Sequence, residues 1–178
     1  MNGPDEELAR EAKRGSQVAF ASLVRRNQSL VRGFLRKMTA DSATADDLAQ
    51  ETFVMAWRKI NSYEEKGSFR GWLCRIAYTQ FLQQRRSSQS ALRRDTAAFA
   101  DMDQTVSEGS AMEAKMDVER AMQALTPEQK AAVSLCYGEG MSHSEAAEVL
   151  GLPLGTVKSH VLRGRERMLA VLREKEAS

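Results

Sequence analysis

Residues 140–168 read GMSHSEAAEVLGLPLGTVKSHVLRGRERM, and the fold turns on this run. Ser142 is followed three residues later by Glu145, the reciprocal pair that closes a helix N-terminus. The spacing predicts a short helix over 145–150, with Gly151 closing it. A second helix opens near Leu154 to Thr156 and continues to about Arg173. Short helix, glycine turn and longer helix make a helix-turn-helix pattern. Ala146, Ala147, Leu150, Leu152, Val157, Val161 and Met168 recur at helical spacing and form its expected core.

The longer helix is basic. Lys158, Arg163, Arg165, Arg167 and Arg173 face a single acid, Glu166, so residues 153–173 carry 5 − 1 = +4. Its opening presents Gly155, Thr156, Lys158 and Ser159, short or hydrogen-bonding groups suited to phosphates and base edges in a groove. A basic stripe alone usually marks a solvated face. Here cap, turn glycine and core spacing agree, and together they point to DNA binding.

Immediately upstream, Thr126 suits an N-cap, Pro127 the first helical position and Glu128 the next turn. The spacing places one helix from about Glu113 to Leu125 and another from Pro127 to Gly138 or Gly140. Before them, residues 87–112 (SSQSALRRDTAAFADMDQTVSEGSAM) have no sustained apolar period and read as a linker. A structureless stretch of that length is unusual inside one compact domain, so the chain divides into modules 1–86 and 113–178.

The first module is predicted to hold three main helices. Phe20, Leu23, Val24, Val31, Phe34, Leu35 and Met38 form one stripe, with Asn27 filling a slot in it. Ala49, Phe53, Ala56, Trp57 and Ile60 form a second, on a helix opening at 44–47 with carboxylates in its first turn. Phe69, Trp72, Leu73, Ile76 and Ala77 form a third, with Ser68 as N-cap and Cys74 opposite part of the stripe. A loop over 61–67 joins the last two.

Composition agrees with an all-α protein of two small helical domains. The 178 residues include 24 Ala and 16 Leu against 2 Ile, the balance of helix formers over strand formers. Net charge is 26 − 24 = +2, but it is uneven: 15 − 10 = +5 over 1–86, 2 − 4 = −2 over 87–112 and 9 − 10 = −1 over 113–178. A near-neutral total is compatible with local basic patches that bind nucleic acid. No run approaches the ~18 apolar residues of a membrane span, and residues 1–11 are acidic without the apolar core of a secretory signal. Cys74 and Cys136 are too few for a disulfide framework or a zinc cluster, so a reducing cytoplasm is expected.

At this point the sequence resembles a bacterial sigma factor of the extracytoplasmic-function group, in the sigma-70 family. LTPEQK (125–130) resembles the entry to the family's fourth region, and the run 140–168 resembles its −35-reading helix-turn-helix. DDLAQETF (46–53) resembles the signature that docks on the polymerase β′ coiled coil, and FRGWLCRIA (69–77) resembles the −10 region. The resemblance spans about 15–86 and 113–173.

It implies core RNA polymerase as partner, through the β′ coiled coil and the β flap, and promoter DNA as ligand. Asp46, Asp47, Gln50 and Glu51 would meet the polymerase. Tyr63, Lys66, Arg70, Arg75, Thr79, Arg85 and Arg86 would meet the −10 element, the loop taking up a flipped base and Tyr63 stacking on it. Gly155, Thr156, Lys158, Ser159, Leu162, Arg163 and Arg165 would meet the −35 element. It also implies an anti-sigma factor.

Four positions depart from the family's usual residues. Thr79 stands for Asn, Gln83 for Asp, and Lys130 and His160 for Arg.

GTVKSHV (155–161) also resembles LuxR-type response regulators, which leaves a stand-alone regulator of duplex DNA as the alternative. A receiver domain would need alternating strands and helices, and the first module shows none. Catalysis by the chain is not expected. No phosphate-binding glycine loop, G-x-S-x-G or H-E-x-x-H occurs, and His143 and His160 are too separate for a triad or metal site. No cofactor and no metal are expected.

Overall fold

The computed structural model describes residues 4–39, 41–92 and 110–176. It divides into two compact helical units, and no strand occurs among the described residues.

The first unit contains α1 (Pro4–Lys13), α2 (Gln17–Met38), α3 (Ser42–Arg58), a 3₁₀ turn (Ile60–Ser62) and α4 (Phe69–Leu92). Gly15 turns the chain from α1 into α2 at φ +92°, a conformation that residues with a Cβ avoid. Ser16 caps α2, its Oγ accepting from the Ala19 amide. Asp41 caps α3, accepting from the Thr44 amide at 2.7 Å. That second predicted helix therefore opens at Ser42, before the 44–47 carboxylates. The three stripes converge on a core that includes Leu23, Val31, Phe34, Leu35, Leu48, Ala49, Phe69, Leu73 and Ala77.

One feature differs from expectation. The third helix does not stop near 86: α4 runs to Leu92, and Tyr78 and Phe81 extend its buried face. Cys74, opposite part of the stripe, is fully buried all the same, because α2 and α3 both pack against α4 and enclose a wide arc of it.

α1 is an addition the apolar pattern did not announce. It packs against α2 and the start of α4, burying only Ala9 and Ala12. Its hold is polar. Asp5 accepts from Arg26 Nε at 2.6 Å and from Asn27 Nδ2 at 3.0 Å. Asn27 also donates to the Leu23 carbonyl. A buried amide in an apolar stripe is tolerated because both of these acceptors satisfy it.

The second unit contains α5 (Ser110–Gln123), α6 (Pro127–Val133), a π turn (Ser134–Gly138), α7 (His143–Leu150) and α8 (Leu154–Glu176). Both predicted caps form. Thr126 and Gln129 bond reciprocally at the head of α6, and Ser142 and Glu145 do so at the head of α7. Gly151 ends α7 in the left-handed region at φ +65°. α5 begins at Ser110, before the expected Glu113, so helix covers both ends of the predicted linker; 93–109 lie outside the described residues. Of the expected helix-turn-helix core, Ala146, Leu150, Val157 and Val161 are buried, and Ala147, Leu152 and Met168 are half-buried. Val149 joins them.

α6 and α8 approach closely where α8 carries Gly164. A Cβ placed there would lie 2.7 Å from Val133 Cγ2, well inside the ~3.5–4.0 Å of ordinary carbon contact. Glycine at this point lets the long helix seat against α6.

Candidate functional site

Three surfaces carry the predicted site residues. The first is a face of α3. Asp47, Gln50 and Glu51 are exposed at spacings of three and four, so they share one side of the helix. Asp46, one turn before Gln50, is half-buried and engaged within the chain. Its Oδ1 lies 3.6 Å from Arg32 Nε and 3.4 Å from Arg36 Nη2, both on α2. Asp46 thus ties α3 to α2, while the other three are presented outward. The sequence reading missed Val54, which is 52% exposed. It follows Asp47 and Gln50 by seven and four positions, and that spacing was the available signal. A polar face with an apolar residue at its edge suits a protein partner better than DNA.

The second surface is the 61–68 loop and α4. Tyr63 is not the exposed stacking ring expected from its loop position. It is 2% exposed, packed edge-on to Phe69 at 5.3 Å and tilted against Trp72 at 5.5 Å. Its hydroxyl donates to the Gly67 carbonyl at 2.9 Å, which closes the loop. Burial, followed by the charges of Glu6, Glu65 and Asp5, pushes its phenol up to about 12. The physical reason is simple: a loop this short, flanked by Ile60 and Phe69, folds its one aromatic ring into the shared core.

Other loop side chains stay outside. Lys66 is exposed and pairs with Glu64 at 2.6 Å. Along α4, Arg75, Thr79 and Arg86 are exposed and fall on one line at spacings of four and seven. Arg70 is exposed in the first turn of the helix, on a different side, and Arg85 is half-buried. Thr79 Oγ1 donates to the Arg75 carbonyl at 2.8 Å, so its proton is already used and its oxygen is left to accept. The structure therefore gathers Arg75, Thr79 and Arg86, and sets Lys66, Arg70 and Arg85 apart from that line.

The third surface is α8. Gly155, Ser159 and Leu162 share a line. By helical spacing Lys158 and Arg165 flank it on one side, Thr156 and Arg163 on the other. All are exposed except half-buried Thr156. Leu162 is 56% exposed, as are several other large apolar side chains to a similar degree, and a thymine methyl is a chemically fitting partner for it. Glu166, counted from the sequence only against the basic charge, continues the same line. Buried Val157, Val161 and Gly164 hold the opposite face against the unit. Half-buried Lys130, on α6, has its ammonium pKa lowered by desolvation.

Among the described residues no group of His, Cys, Asp and Glu is arranged to hold a metal ion. No helix there is long and apolar enough to cross a membrane. Cys136 is half-buried in the π turn, and burial pushes its thiol up, away from the reactive thiolate.

Comparison with known proteins matches both units. The Sigma-70 region 2 family matches residues 23–91, and the Sigma-70 region 4 family matches residues 115–168. The chain is 35% identical to the ECF RNA polymerase sigma factor SigE of Mycolicibacterium smegmatis, over 86% of this chain and 63% of that protein. It therefore spans less than two thirds of that relative's length. It is 30% identical to the ECF RNA polymerase sigma factor SigM of Mycobacterium tuberculosis, over 94% of this chain and 84% of that one. Among solved structures it is similar to the sigma factor RpoE of Bartonella quintana, which was crystallised with the anti-sigma factor NepR. That match has a TM-score of 0.79 and 26% identity, over 86% of this chain and 96% of that chain.

Proposed function

The chain belongs to the sigma-70 family, in its extracytoplasmic-function group, and from that membership we propose that it is a transcription initiation factor. It binds core RNA polymerase, directs it to promoters through their −35 and −10 elements and promotes melting of the duplex. The polymerase performs the catalysis, in the cytoplasm. The observation that carries this reading is the pairing, in order along one chain, of an outward acidic and amidic face on α3 with a helix-turn-helix whose exposed side is basic.

Residues 1–86 dock on polymerase and open the −10 element, 113–178 hold the −35 element, and 87–112 span the distance between. Asp47, Gln50 and Glu51 meet basic groups of the β′ coiled coil, with Val54 at the edge of the contact. Asp46 supports that face by fastening α3 to α2. Arg75 and Arg86 follow the phosphates of the −10 strand, and Thr79 accepts from a base or sugar donor. Arg70 and Lys66 widen the basic field around it. With Tyr63 inside the core, the exposed rim of the loop receives the unpaired base. Lys158, Arg163 and Arg165 hold phosphates and base edges of the −35 duplex, and Ser159 and Leu162 read the groove floor. The fit to a sigma factor solved with an anti-sigma factor supports regulation of this chain by a partner of that kind. The region 2 match over 23–91 disfavours the stand-alone regulator, which has no use for a polymerase-docking module.

In vitro transcription with bacterial core polymerase on a genomic fragment library tests the reading. Start sites sharing a −35 and −10 pair, absent without the protein, are expected. Arg163→Ala should weaken −35 discrimination and leave polymerase binding intact. Asp47→Ala with Gln50→Ala should do the reverse. Tight binding to duplex sites without any core-dependent initiation would sink the proposal.

A further inference from the structure

Among the described residues Glu65 is the one non-glycine residue at positive φ, +59°. That conformation is unfavourable for a residue with a Cβ, so something must hold the loop in it. What holds it comes from α1. Arg10 Nε donates to Glu65 Oε2 at 3.1 Å, and Lys13 Nζ stands 4.0 Å from Oε1. Lys13 also sits over the Tyr63 ring, 5.5 Å from its centroid. At the loop's far end, Glu6 Oε1 accepts from the Phe69 amide at 3.5 Å. α1 is fixed in turn by Asp5, bonded to Arg26 and Asn27 of α2. One short helix thus grips the middle and the end of the 61–68 loop and is itself anchored to the domain body.

We propose that α1 is a brace that sets the shape of the 61–68 loop, and that Arg10 and Glu65 are positioning residues for selection of the −10 base. The inference rests on the initiation-factor reading. The brace acts by limiting the loop to one geometry. Without it the loop samples others, and the energy difference between right and wrong bases shrinks. Neither residue needs to touch DNA.

The experiment compares the full chain with Arg10→Met, which keeps the apolar stem, and Glu65→Ala, which removes the carboxylate but keeps a Cβ at positive φ. With core polymerase, initiation is measured on template pairs that differ at one −10 base. The ratio within a pair cancels the phosphate contribution common to both templates. Each variant should lower that ratio about two- to five-fold, as expected from one partly exposed ion pair. Discrimination at −35 and the Trp-fluorescence unfolding transition should hold. Amides of 61–68 should exchange faster in both variants, and Arg10→Glu combined with Glu65→Arg should recover most of the ratio.

Unchanged ratios and unchanged loop exchange in Arg10→Met would overturn the brace. If Arg10→Met fails to fold, Glu65→Ala decides: a retained ratio there, with the Cβ still at positive φ and the carboxylate gone, means the loop shape is intrinsic and the brace is wrong. If the unaltered chain gives no core-dependent initiation, the initiation-factor reading fails, and loop exchange still judges the brace.

Discussion

Gly164→Ala is the substitution on which the geometry of the second unit can be tested most sharply. Alanine in place of glycine inside a helix ordinarily stabilises by about 0.8–1 kcal/mol. Here the added methyl carbon would meet Val133 Cγ2 at 2.7 Å, with Gln129 Cβ and Leu125 Cδ1 at 3.7 Å. Val133 is buried and β-branched, so its χ1 has little room to turn on a helix. Leu125, buried beside it, restricts that movement further. Relief therefore requires α6 and α8 to separate, an overpacking cost of about 1–3 kcal/mol. The balance is destabilising by roughly 1 kcal/mol, or about 4–8 °C for a unit of this size.

The two tryptophans, Trp57 and Trp72, both lie in the first unit, so they provide an internal control. In a thermal or urea scan of the full chain, the far-UV circular dichroism component from the second unit should move down. The Trp-fluorescence midpoint should stay where it is. Adding Val133→Ala should make the alanine at 164 much less costly, because the clash disappears. Because α8 carries the proposed −35 residues, DNA affinity should fall with stability although position 164 faces away from DNA. A circular dichroism transition that holds or rises in Gly164→Ala would refute the argument, since Val133 would then be yielding freely.

Gly33, inside α2 with open space around it, is the contrasting case. Gly33→Ala should raise the Trp-fluorescence midpoint by about 0.8–1 kcal/mol. Tyr63→Phe should lower that midpoint by about 0.5–1.5 kcal/mol through the lost bond to Gly67; a −10 defect at full stability would instead give the hydroxyl a role at the DNA. The Tyr63 phenol is raised from 10.0 to about 12, so the folded state holds its proton more tightly than the unfolded chain. That contribution is whole below pH 10 and is lost as pH climbs toward 12, up to about 3 kcal/mol. Alkaline denaturation followed by Trp emission should show it, and Tyr63→Phe should flatten the slope. Ser142→Ala should cost the second unit about 1 kcal/mol at neutral pH. Glu145 is held below its ordinary 4.5 by bonds from the Ser142 amide and hydroxyl. Its stabilising effect is therefore present above that value and fades as pH falls through the lowered one, so an acid titration should find less to lose in Ser142→Ala.

Much of the helical plan was legible without coordinates. The caps at Thr126 and Ser142, the stop at Gly151 and the apolar stripes are signals between residues one to four apart, and such pairs meet in any helix that forms. The same locality made the α8 face readable, because spacing alone puts Lys158, Ser159, Leu162 and Arg163 on its outer side. Asp47, Gln50 and Glu51 were legible for that reason too.

What the tertiary structure decided lies between elements. A tyrosine in a loop has the same local signature whether it faces water or the core, and only the packing of Phe69 and Trp72 turned Tyr63 inward. Asp46 and Asp47 are neighbours with equal charge, yet Arg32 and Arg36 of α2 claimed the first and left the second outward. α1 escaped notice because it docks through Asp5, Glu6, Arg10 and Lys13 rather than an apolar stripe. Its partners stand far along the chain, as Glu65 does from Arg10. Gly164 gained meaning only when Val133 arrived opposite it. Short-range spacing is written in one dimension, whereas burial and long-range charge pairing depend on which faces meet once the helices are packed.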